Sequence, residues 1–176
     1  MTMTSTELPE DSGHLPQGDL RLLDTDLARQ LLRSSIPARL AFIATDGTPR
    51  VVPTWFAWNG AEIVMATYVA GPNAGIRHPA ARIAPLRANP TVALTIDTED
   101  FPSQSLTIRG RAEIDEVDGL APEYVASAHR YLGDGAAAMV AGMDQPGTVQ
   151  ARIAVRPTWV GLLDFATRLP GPLGGV

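Results

Sequence analysis

Apolar and polar positions alternate with a period of two over several short runs of this chain, the pattern of half-buried strands. "ARLAFIAT" (38–45), "PRVVPTWFAW" (49–58) and "AEIVMAT" (61–67) are three such runs. They are joined by "DGTP" and by Asn59-Gly60, a dipeptide favoured in two-residue hairpin turns. No crossover helix fits between them, so they predict a three-stranded antiparallel meander. "TVALTID" (91–97), the long "QSLTIRGRAEIDEVD" (104–118), "ARIAV" (151–155) and "TWVGLLDF" (158–165) extend the pattern. Gly110 inside the long run predicts a bend or bulge.

Helical spacing appears elsewhere. Leu27, Leu31 and Leu32 share one face of "LDTDLARQLLRSS" (23–35), with Asp24 or Thr25 placed to cap its start. "AARIAPLRAN" (80–89), "APEYVASAHRYL" (121–132) and "GAAAMVAGM" (135–143) predict three further helices, and the Gly- and Pro-containing stretch 68–79 a loop. Residues 1–20 are polar and aperiodic and predict a disordered tail; residues 170–176 predict a frayed end, leaving one domain over 21–169. Six or seven strands joined mostly by short turns, with peripheral helices, suit a small antiparallel barrel rather than a doubly wound sheet.

Pro53 conflicts with an interior strand, because proline has no N–H to give to a ladder. It belongs on an edge, at a bulge, or beside something that is not a strand. A flat cofactor is one such neighbour.

Composition narrows the chemistry. The 176 residues are 45% hydrophobic and 19% charged, ordinary for a soluble domain. No apolar run approaches a membrane span, the first twenty residues lack the features of a signal peptide, and there is no cysteine, so a cytoplasmic address and no membrane partner are expected. The net charge of −5 argues against a nucleic-acid partner. All 14 basic residues are arginine. The chain therefore offers no amine for a Schiff base, no P-loop lysine and no thiol nucleophile. Of three histidines, His14 lies in the tail, and His78 and His129 are too few for a three-histidine zinc site, so no metal is expected. No G-x-S-x-G elbow is present. A chain with so few reactive side chains needs a bound cofactor for demanding chemistry.

Four segments in order, "GTPRVVPTWFAWNGAEIVMAT", "LRANPTVALTIDTEDFP", "LTIRGRAEI" and "RPTWVGLLDFATRLP", resemble the pyridoxamine 5′-phosphate oxidase-like family of flavin-binding split barrels, over about residues 24 to 169. The resemblance implies a six-stranded antiparallel split β-barrel. It also implies a homodimer that binds FMN, or the deazaflavin coenzyme F-420, in grooves shared by both subunits, and oxidation or reduction of a small organic substrate. Carried over by position, Arg50, Val51, Val52, Pro53, Thr54 and Trp55 match the stretch that lines the isoalloxazine and reaches the phosphate. Ala66 and Thr67 match the next contacts, and Arg82 a phosphate ligand. Ser105 matches a ring contact, and Trp159 and Arg168 the late aromatic and arginine of the site.

The chain departs from the oxidases at three places. Trp55 replaces a lysine. The loop 68–81 is longer, which makes Arg77 or His78 alternative phosphate ligands. Phe165-Ala166 stands where the oxidases carry a substrate-binding arginine–histidine pair, so pyridoxamine phosphate is not the expected substrate. No catalytic acid or base is named. A flavin- or deazaflavin-binding carrier without turnover is the alternative, and a heme-handling split barrel ranks last, since only His78 and His129 could ligate iron.

Overall fold

The computed structural model describes residues 15–72 and 81–167. A 3-10 turn over Leu20–Asp24 leads into α1 (Asp26–Arg33), whose N-cap is Thr25: its hydroxyl accepts from the Ala28 N–H at 3.3 Å. Among the described residues seven strands follow, β1 (Ala38–Ile43), β2 (Pro49–Thr54), β3 (Ala57–Trp58), β4 (Ile63–Ala70), β5 (Thr91–Asp97), β6 (Gln104–Asp118) and β7 (Val149–Asp164). The helix α2 (Ile83–Ala88) precedes β5, and α3 (Pro122–Leu132) and α4 (Ala136–Met143) lie between β6 and β7. Among the described residues, no helix is long and apolar enough to cross a membrane.

The strands form one antiparallel sheet in the order β2-β1-β5-β6-β7-β4-β3. Its two ends, β2 and β3, belong to a single run of chain. The expected strand over 49–58 is thus two strands, and the expected three-stranded meander is not formed. β2 pairs with β1, β3 pairs with β4, and the chain crosses from one end of the sheet to the other at Trp55-Phe56. This is a split barrel: its ends are joined covalently and not by a ladder. Asn59-Gly60 does not make a two-residue turn either, because Trp58 pairs with Ile63. The four-residue loop is built by Asn59, whose side-chain oxygen accepts from the N–H groups of Ala61 (2.9 Å) and Glu62 (2.8 Å).

The crossing point is held from a distance. Arg130, on the last turn of α3, donates to the carbonyl of Leu32 at 3.0 Å and to that of Phe56, and its guanidinium lies 4.5 Å from the centre of the Phe56 ring. Its neighbour Tyr131 stacks on Trp55, with ring centroids 5.0 Å apart and planes within 5°.

At β7 the two expected strands are one. The joint falls at Pro157, opposite Gly110, where the β6–β7 register slips between Arg109 and Gly110. A Cβ at Gly110 would sit 2.3 Å from the Arg156 carbonyl oxygen, so only glycine permits this approach. The expected bulge is present. Of the expected tail, residues 15–20 are described, and part of this stretch runs beside β7: Gly18 N–H donates to the Val160 carbonyl (2.7 Å), and the Gln17 amide brackets the N–H and C=O of Leu162 (2.8 Å each).

Alternation sorts the strands into two faces. Leu40 and Phe42 of β1, Val92, Leu94 and Ile96 of β5, Leu106 and Ile108 of β6, and Val160 of β7 are buried in the barrel core. The opposite face is the outer surface along β2, β1 and β5, while at β4 and β7 it is covered and buries Val64 and Ala154.

Candidate functional site

β2 is a mixed strand. Its register with β1 places Arg50 opposite Phe42 and Val52 opposite Leu40, so Arg50, Val52 and Thr54 share the side of the buried β1 residues. Val51 and Pro53 fall on the outer side and are exposed. As an edge strand, β2 is where proline is tolerated.

On the Arg50 side lies a cleft of about 460 Å³, within the range of small-molecule sites. Its apolar lining is Phe42, Ala44, Val52, Ala81 and Pro85, and its polar lining is Thr45, Asp46, Arg50, Thr67 and Arg82. Four expected residues meet here: Arg50, Val52, Thr67 and Arg82. Two more adjoin them through Arg82, which donates to the Ala66 carbonyl at 3.2 Å and to the Thr54 hydroxyl at 3.5 Å. Phe42, Thr45, Asp46 and Pro85 are additions that the sequence-based expectation lacks.

The two arginines differ in kind. Arg82 is largely buried, and burial lowers its pKa from the usual arginine value. Among the described residues no carboxylate pairs with it; its partners are a hydroxyl and a carbonyl. Such a cation carries a desolvation cost that a ligand anion can offset. Arg50 is half exposed and pairs with Asp46, its Nη2 donating to Asp46 Oδ2 at 2.8 Å. It also donates to the Thr48 hydroxyl and, at 3.2 Å, to the Pro49 carbonyl. The hydroxyls of Thr45 and Thr67 complete a set suited to an oxyanion.

The other expected residues lie elsewhere. Val51, Pro53, Ser105 and Trp159 belong to the outer face. Register runs Val51–Ala41–Ala93–Arg109–Trp159 straight across five strands, and directly paired residues point to one side. Trp159 carries the Arg109 guanidinium 4.1 Å from its ring centre and packs against Gly18. Trp55 stacks on Tyr131 and does not line the cleft. Arg168, Arg77 and His78 lie outside the described residues. Among the described residues, no group of three or more acidic or histidine side chains could hold a metal ion.

A family profile described as pyridoxamine 5′-phosphate oxidase matches residues 24–161. Among solved structures, a protein titled F420 reductase is 28% identical, with a TM-score of 0.53, and the match covers 76% of this chain and 94% of that one. A conserved hypothetical protein from Mycobacterium tuberculosis is 21% identical (TM-score 0.58, covering 80% and 84%). A putative pyridoxamine 5′-phosphate oxidase from Listeria innocua is 21% identical (TM-score 0.52, covering 81% and 98%). At such identities these last two testify to the fold alone. Among curated proteins, none matches the chain.

Proposed function

Because the chain belongs to the pyridoxamine 5′-phosphate oxidase family, we propose that it is a flavin-dependent oxidoreductase that holds the phosphate of FMN, or of a deazaflavin, in the cleft between β2 and α2. One observation carries the reading: Arg82 is a largely buried cation in the cleft wall with no carboxylate partner among the described residues, beside the threonine hydroxyls of a ligand-sized opening. Arg82 and Arg50 would hold the phosphate through charge-assisted hydrogen bonds, with Thr45 and Thr67 as further donors. A bound flavin supplies electron or hydride transfer at its ring, and the chain's residues bind it, orient it and limit water around it. Phe42, Val52 and Pro85 provide the apolar surface for that last role.

The outer face supports a homodimer. Val51 is 64% exposed, Ile43 39% and Leu163 43%, and a nearly apolar trough lined by Ala41, Ile43, Pro49 and Ala93 runs between β2 and β5. Exposed apolar side chains on a sheet face, interspersed with Arg109 and the Arg39–Asp97 ion pair, suit burial against a second copy. In such a dimer, Trp159 and Ser105 of one copy would approach a ring whose phosphate the other copy holds. The deazaflavin alternative draws on the likeness to the F420 reductase structure. The substrate is a small organic molecule.

Titration of the protein with FMN and with riboflavin tests the proposal. FMN should bind at least roughly tenfold more tightly, because only it carries the phosphate. Equal affinities would reject the cleft as a phosphate site.

A further inference from the structure

The cleft contains an acid that a phosphate site does not need. Asp46 sits in the β1–β2 turn and is held in place from three sides. The Thr48 hydroxyl donates to its Oδ1 at 2.6 Å, the Thr48 N–H donates to the same oxygen at 3.0 Å, and Arg50 Nη2 donates to Oδ2 at 2.8 Å. These Thr48 hydrogen bonds, and then the Arg50 charge, keep its carboxyl below the ordinary value, so it is anionic at neutral pH. Asp46 and Arg50 both line the cleft. Counted over the described lining residues, Arg50 and Arg82 contribute two positive charges and Asp46 one negative.

A phosphate monoester carries a charge of about −1.5 to −2 at pH 7, whereas a diester carries a single charge. A dianion held by Arg50 and Arg82 would lie beside the Asp46 carboxylate and compete with it for the Arg50 guanidinium. A monoanion meets half that repulsion and leaves the Asp46–Arg50 pair closer to intact. We propose that Asp46 is a specificity-determining residue that biases this cleft towards a singly charged phosphate ester, a phosphodiester, over a phosphate monoester dianion. The inference rests on the reading of the cleft as the phosphate site of a flavin-type cofactor.

Three ligands with one ring system test it at pH 8: riboflavin with no charge on the side chain, riboflavin 4′,5′-cyclic phosphate with one, and FMN with two. In Asp46→Asn, which keeps an acceptor for Thr48, the ratio of FMN to cyclic phosphate affinity should rise about three- to tenfold over wild type. This is the effect of removing one partly screened neighbouring charge. Riboflavin affinity should stay unchanged. Asp46→Ser, neutral and smaller, should move the ratio the same way and guards against a folding defect peculiar to asparagine. An unchanged or lowered ratio in both variants overturns the proposal and makes Asp46 a support for Arg50. If neither phosphate ester binds wild type more tightly than riboflavin does, the phosphate reading itself falls, and the role of Asp46 with it.

Discussion

Replacing Arg82 by Met separates a binding cation from a structural one. The substitution keeps an apolar stem of similar reach and removes the guanidinium. In the free protein it loses two hydrogen bonds, at 3.2 Å to the Ala66 carbonyl and at 3.5 Å to the Thr54 hydroxyl. The second is at the limit of bonding geometry, so the pair is worth about 1–2 kcal/mol. Against this loss stands the desolvation of a part-buried cation with no carboxylate partner among the described residues, a cost that offsets much of it and disappears with the charge. The apoprotein should therefore lose less than about 1 kcal/mol, or gain stability, which keeps its Tm within about 4 °C of wild type. Ligand binding should respond quite differently. FMN loses a charge-assisted contact worth roughly 1.5–3 kcal/mol, so its Kd should rise about ten- to hundredfold, while riboflavin should change by less than about twofold. Thermal unfolding of the apoprotein and fluorescence titration with both flavins supply the numbers. A large fall in Tm together with equal losses for both ligands would make Arg82 a support for the fold and not a phosphate ligand.

Other outcomes follow from the same geometry. Gly110→Ala places a methyl 2.3 Å from a carbonyl oxygen in the middle of the β6–β7 ladder, and should cost about 1–3 kcal/mol, read as a fall in the urea midpoint; a neutral result would mean that the ladder shifts freely. The Arg152 guanidinium, donating to Glu123 at 2.7 Å, holds the Glu123 carboxyl below its ordinary 4.5. The native state thus binds fewer protons there, and the stabilisation is present above about pH 4.5 and lost as pH falls through the lowered native value. Glu123→Gln should cost about 1 kcal/mol at pH 7 and progressively less in acid, and a pH-independent difference in unfolding free energy would contradict this. Sedimentation at low micromolar concentration should find a dimer, and a single 18.7 kDa species would reject the outer face as an interface.

Much of the sheet is legible from residue order because burial and alternation coincide. Leu40 and Phe42 in β1, and Val92, Leu94 and Ile96 in β5, point inward at every second residue. What period two does not encode is the partner of each strand. Residues 49–58 are uniformly strand-like, yet the run changes partners at Trp55-Phe56, and the clamp at that point comes from Arg130, 74 residues further on. Pro157 reads as a break between strands, but at a register slip opposite Gly110 the strand continues. The pairing of Gln17 with Leu162 spans 145 residues and leaves no local trace.

The site divides on similar lines. Arg50, Thr67 and Arg82 are recognisable by position in the family pattern, whereas the burial of Arg82 depends on how α2 packs against β1 and β6, which sets Arg82 beside Ala66 of β4 and Thr54 of β2. Asp46 does carry a local signal: an Asp two residues before a Thr in a turn, four before an arginine. That spacing reads first as turn chemistry, and only the cleft beside it gives it a second meaning.

The absorption spectrum of the purified protein, with mass spectrometry of whatever small molecule it releases on denaturation, decides whether the chain is a flavoprotein. A flavin or deazaflavin spectrum, with release of a phosphate-bearing flavin that NADPH or a reduced deazaflavin reduces while bound, is the predicted result. A protein that stays colourless after incubation with FMN and with deazaflavin, or that carries a Soret band instead, would contradict the account.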